Sequence, residues 1–331
     1  MCARNRPPGI DAAHKDRLTR QVPTFAPDGG ATLVLARGFA VAFLLSVSGT
    51  LTFRTVVLPR TYPRMTHDVI DPIERGLLRW TRFSVIFAAL GLCAWLAAVT
   101  SYLANPETIG DWMDDLWTVL IDTSFGHVLL LQVVLLCATV VVLGGRPGAA
   151  RWRLGLVLGT AAVIVEVGHS HAYAMAKGLS FLEVSQTLHL WAAGAWLGSL
   201  LPLLLVVRLA PPPAACLAAR WFTPLGQLCV VLLAVSAPVQ GWVLIASAKA
   251  LVHTAYGWTA LLKAGLFGVL FGFALLNRYW LAPDLRGRNP DLARRRLIRS
   301  LSFQTSFGLL IVVAAALLSQ LRPGMDMSMP G

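Results

Sequence analysis

The stretch His127-Val-Leu-Leu-Leu-Gln132-Val-Val-Leu-Leu-Cys137-Ala-Thr-Val-Val-Val-Leu143 decides the fold. It carries no formal charge from Thr123 to Gly145, and its apolar residues do not alternate with polar ones. A membrane barrel strand needs that alternation. A helix of about 20 such residues crosses a bilayer with every backbone group bonded internally. Similar runs recur outward from it in both directions. The sequence predicts transmembrane helices at about 32–58, 80–104, 124–144, 152–174, 184–207, 221–247, 258–280 and 300–321. Breakers such as Asn105-Pro106, Gly144-Gly145 and Pro211-Pro212-Pro213 fill the gaps.

Composition agrees. The chain is 56% hydrophobic and only 13% charged, with a mean hydropathy of +0.66. A soluble domain carries about 25% charged residues. The expected fold is therefore an all-α polytopic membrane bundle of about eight helices, spanning 32–321. A polar tail at 1–31 precedes it, with no apolar core and cleavage site of a signal peptide. A Met-rich tail at 322–331 follows.

The net charge of +12 points in a soluble protein to nucleic acid. Here the cations sort into alternate loops, so membrane lipid is the expected surroundings and nucleic acid is not an expected partner. Arg60, Arg64, Arg75 and Arg79 fall between helices 1 and 2. Arg146, Arg151 and Arg153 follow helix 3, Arg208 and Arg220 follow helix 5, and Arg286 through Arg299 follow helix 7. The opposite loops hold only Lys177 and Lys249. By the positive-inside rule the arginine-rich set is cytoplasmic and both termini lie outside. The basic residues of the N-terminal tail argue the other way, and the four loops outweigh them.

A short motif recurs. Thr123-Ser-Phe-Gly126 opens helix 3 with Gln132 beyond it, and Thr254-Ala-Tyr-Gly257 opens helix 7 with Lys263 at the same offset. Two parallel four-helix halves would produce this. Gly194-xxx-Gly198 in helix 5 suits close helix packing.

Histidines and methionines gather on one side. His127, His169, His171, His189 and His253 all fall at outer helix ends, as do Met113, Met175, Met325, Met327 and Met329. Imidazole and thioether suit copper, thioether favouring Cu(I). Singly, His127 and His253 read first as interfacial anchors and only then as ligands. His169-Ser-His171 is a stronger signal, because two imidazoles can converge on one ion. His189 lies roughly 8 Å below the outer surface by helical rise, and polar groups at that depth usually serve a function. His169 with His189 is thus the expected metal pair. Glu166 stands one turn before His169, about 10 Å deep, at a level like that of Lys263. These two read either as an ion pair between helices or as part of a cation or proton path. The acidic 2–3 loop (Glu107, Asp111, Asp114, Asp115, Asp122) is either a solvated interfacial helix or a cation-gathering mouth. Met325-Asp-Met327-Ser-Met329 reads as a free end or as a copper lure. Cys2, Cys93, Cys137, Cys216 and Cys229 form no CxxC pair, and those in apolar runs read as small hydrophobes. No nucleotide-binding motif or nucleophile elbow occurs, so no enzymatic activity is expected.

Several stretches resemble the copper resistance D family. They are His189-Leu-Trp-Ala-Ala-Gly-Ala-Trp196-Leu-Gly198, Thr254 through Lys263, Asn277-Arg278 with Pro283, and Arg322-Pro323. The family core is clearest at 184–321, and Gly168-His169-Ser-His171 is similar too. The resemblance implies a bacterial inner-membrane protein of copper homeostasis, moving copper inward beside a periplasmic CopC-like partner. It implies metal roles for His169 and His189. The inner half offers only Cys137 and Cys229 to continue a copper path. Two other readings stay open. Paired histidines could ligate a b-type haem for electron transfer, or the chain could deliver copper to another membrane enzyme.

Overall fold

The structure, a computed structural model, describes residues 29–104, 106–170, 180–245 and 247–321. Among these residues the chain is helical and contains no strand. Helix α1 (Gly30–Thr52) runs on through a π turn and a 3-10 turn to Arg64. Then follow α2 (His67–Ala104), the short α3 (Ile109–Asp122), α4 (Ser124–Val142) and α5 (Ala149–Ile164). A 3-10 turn extends α5 to His169. The second half repeats the order with α6 (Ser180–Leu197), α7 (Leu200–Leu209), α8 (Pro212–Ile245), the short α9 (Ala248–His253), α10 (Ala255–Leu276) and α11 (Pro290–Leu318).

Seven helical stretches among the described residues are long and apolar enough to span a membrane. The eighth expected span is α5, too short alone at 16 residues but prolonged by its 3-10 turn. The chain is a multi-pass membrane protein with an all-α bundle.

The repeated Thr-x-x-Gly motif has one structure in both places. Thr123 Oγ1 accepts from Gly126 N at 3.0 Å, and Thr254 Oγ1 accepts from Gly257 N at 2.9 Å. Each threonine thus caps a spanning helix. Each also donates to the short helix before it, at Val119 O and Ala250 O. A Cβ on Gly126 would lie 2.1 Å from Leu120 O, and one on Gly257 2.2 Å from Leu251 O. Glycine is needed at both because the short helix folds back against the long one.

The halves meet along α1, which packs on α2 and α5 and also on α6 and α11. At its crossing with α6, a Cβ on Gly49 would fall 2.1 Å from the Gly198 carbonyl carbon, and one on Gly198 would fall 2.0 Å from Leu45 O. Backbones touch there, as small residues allow. At that level the expected fifth helix breaks: α6 ends at Leu197, and Ser199 Oγ donates to Ala195 O and across to Gly49 O. Two buried apolar clusters result. One is centred on α1, α2, α4 and α5, the other on α6, α7, α8 and α11.

Candidate metal-binding cavity

Polar residues buried among these helices form two groups. The first lies in the N-terminal half. Arg37 on α1 donates to Glu166 Oε1 at 3.1 Å and to the His169 carbonyl at 3.1 Å. Gln132 on α4 donates to Glu166 Oε2 at 3.1 Å, and His169 Nδ1 reaches the same oxygen at 3.1 Å. The imidazole sits between Trp95 and Phe125, ring centroids 4.7 and 4.8 Å away. Arg37 lies over the Trp95 ring at 4.9 Å. A buried carboxylate needs charge and hydrogen-bond partners, and Glu166 has them here.

Of the two readings of Glu166 and Lys263, the ion pair is not the contact formed here. The cation on Glu166 is Arg37, because α1 packs directly on α5 whereas α10 packs mainly on α11. The second His169 nitrogen, Nε2, faces the Phe125 carbonyl at 3.1 Å. Both ring nitrogens are thus engaged within the protein, and His169 is not among the residues that line the cavity beside His189.

His189 on α6 is held differently. Its Nδ1 is 2.9 Å from Ser236 Oγ on α8, while that hydroxyl donates to Leu232 O at 2.6 Å. The serine proton being used there, Nδ1 is the donor to Ser236. The ring is then the tautomer with a bare Nε2. His189 lines a cavity of about 150 Å³ with Glu166, Arg37 and Ser170 on one wall and Gln240, Tyr256 and Lys263 on another. A more apolar cavity of about 470 Å³ adjoins it and shares His189, Gln240, Tyr256 and Lys263. Among the described residues Lys263 makes no hydrogen bond or ion pair. The cavity thus lies where the two halves meet, and the His189 imidazole lines it.

The remaining expected ligands do not join this site. His127 is exposed, its Nε2 on Ile121 O at 2.6 Å. His253 ends α9, also exposed. Helix-end geometry turns both toward the surface. His171, Met325, Met327 and Met329 lie outside the described residues. Among the described residues no three His, Cys, Asp or Glu side chains cluster as a metal site would require. Cys137 is exposed, and Cys229 is buried in the core away from the cavity lining. Sequence reasoning missed Arg37, Ser236, Gln240 and Tyr256. Arg37 had a signal, since a lone arginine inside the first apolar run must find a partner. Ser236 had none, being one of many serines in apolar helices.

Comparison with known proteins bears on the whole chain. Residues 217–318 match the family described as Copper resistance protein D, and residues 27–182 match that described as Copper resistance protein D-like, N-terminal domain. The chain belongs to the copper resistance protein D family. Inner membrane protein YebZ of Escherichia coli K12 is 26% identical over 308 residues, covering 88% of this chain and 98% of that protein. Copper resistance protein D of Pseudomonas syringae pv. tomato is 25% identical over 271 residues, covering 75% and 86%. No solved structure matches. Glu166 and His169 fall in the first family segment, Ser236, Tyr256 and Lys263 in the second, and His189 between them.

Proposed function

We propose that this copper resistance D family protein is a copper permease of the bacterial inner membrane. Copper is captured on the periplasmic side, held at His189 and passed toward the cytoplasm. The observation that carries this reading is that His189 lines the cavity while its Nδ1 is held by Ser236. Metal-binding histidines are commonly oriented in this way by a hydrogen bond to the other ring nitrogen. The acidic face of α3, His171 and the methionine tail would raise copper concentration at the entrance, and a periplasmic CopC-like protein would supply it. His169 is recast as a positioning residue that holds Glu166 at the cavity wall. Its two engaged nitrogens also weigh against the haem reading, which needs two axial imidazoles.

The test is metal analysis of purified protein together with uptake into proteoliposomes. His189→Ala is expected to lose bound copper and uptake while eluting as a folded species in detergent. Unchanged copper per protein would remove His189 from the site. A Soret band that disappears in the same variant would replace copper with haem. Copper binding without flux would favour delivery to another enzyme.

A further inference from the structure

The cavity below His189 does not end the internal space of the second half. A further cavity of about 280 Å³ lies toward the arginine-rich end, among α6, α8, α10 and α11. Its walls include Thr223, Gln227, Asn277, Arg278 and Gln304. Gln304 is 2% exposed, yet its Nε2 has no hydrogen-bond partner, and neither has Asn277 Oδ1. Buried amide atoms without partners are rare and call for an occupant such as water or an ion.

One residue is common to the linings of this space and of the larger cavity near His189. Trp196 lines both and is itself 2% exposed. Its ring meets Phe267 edge to face, centroids 5.9 Å apart. Gly226 on α8 also borders the indole: a Cβ there would stand 3.6 Å from it, so glycine leaves about the width of a methyl group beside the ring.

We propose that Gln304 and Asn277 form a second, inner station for a hydrated cation, reached from the His189 cavity when Trp196 moves off Phe267. This deepens the copper reading and rests on it for the identity of the cargo. Neutral amides hold a hydrated ion through its water shell. Arg278, whose guanidinium lies over the Tyr279 ring at 5.0 Å, opposes a cation lingering there. Weak holding is what a release site needs, because conduction requires that an ion leave as readily as it enters. The absence of soft ligands along the inner half then needs no hidden cysteine: the ion travels this part hydrated.

The test is side-specific labelling in proteoliposomes with a small, permanently charged methanethiosulfonate, in full-length protein with its native cysteines replaced by serine. Gln304→Cys is expected to react only from the arginine-rich side, and Ala264→Cys, on the His189 cavity wall, only from the opposite side. Adding Trp196→Ala, or Phe267→Ala should the first variant misfold, is expected to make Gln304→Cys reactive from both sides. The proposal is overturned if Gln304→Cys reacts from neither side, reacts from the His189 side with Trp196 intact, or stays one-sided in a folded gate variant. Gln304→Leu is expected to slow copper uptake severalfold with copper per protein unchanged, and unaltered uptake would remove the inner station. Absence of copper from the native protein alongside the expected labelling pattern would overturn copper as cargo and leave the two chambers standing.

Discussion

Two histidines on neighbouring helices look alike in sequence and differ in chemistry because of the atoms around each ring. His169 meets oxygen acceptors at both nitrogens, Glu166 and the Phe125 carbonyl. His189 meets a hydroxyl whose own proton is already committed to Leu232 O. Ser236 therefore chooses the tautomer. Removing it frees the ring to rotate and to place its proton on either nitrogen. Orienting partners of this kind are worth about 10–100-fold in metal affinity, so Ser236→Ala is expected to weaken copper binding within that range while Ser185→Ala does not. Titration of purified protein against a competing copper chelator reads this directly, and equal affinity in the two variants would show that Ser236 has no orienting role. Residue type and depth made His189 legible in the sequence. Its serine was not, since a hydrogen bond between residues 47 positions apart depends on how α6 and α8 are rotated. The same limit explains Glu166, whose depth was readable and whose partner, Arg37, was not.

Helices were legible where composition changes sharply. The expected span 124–144 corresponds to α4, Ser124–Val142, because Thr123 caps one end and Gly144-Gly145 stops the other. Expected ends at charged residues were less faithful. The second helix starts at His67 rather than near 80, and the last at Pro290 rather than near 300. Arginine stems can lie along apolar surface while the charge reaches water, so a helix need not stop where lipid does. Breaks set by tertiary contact, such as the one after Leu197, had no local marker beyond a glycine. The recurring Thr-x-x-Gly motif was readable as a pattern, and its function as a hinge between a short and a long helix came from geometry. Gly257→Ala forces its methyl against Leu251 O, an overpacking expected to destabilise by about 1–3 kcal/mol. Gly265→Ala, on the same helix with nothing within 4 Å, is expected to be neutral or slightly stabilising, since alanine favours helix over glycine. Thermal unfolding in detergent separates the two, and equal midpoints would mean that α9 shifts without penalty.

At the scale of the whole molecule the asymmetry of charge has two physical roles. Some arginines at the basic end close helices: Arg82 donates to Leu143 O at 3.0 Å, Arg151 to Gly144 O at 3.1 Å and Arg294 to Ala210 O at 2.7 Å. Each carbonyl lies at a helix C-terminus, where cations satisfy free acceptors and the helix dipole. Arg60, stacked on Trp221 at 5.0 Å, joins the ends of neighbouring helices. Yet the two ends of the bundle have helix C-termini in comparable number, and the far end recruits hardly any cations to them. Capping alone would not concentrate arginine at one end, whereas insertion bias does. By that bias the basic end is expected in the cytoplasm, and the end of the cavity lined by Ser170 and Tyr256 outside. An alkaline phosphatase reporter, which needs an oxidising compartment to form its disulfides, is accordingly expected to be active when fused after Leu321 and inactive when fused after Gly145. The reverse pattern would turn the molecule over. His189 would then load from the cytoplasm, Gln304 would stand at the outer exit, and the same two chambers would describe removal of copper from the cell.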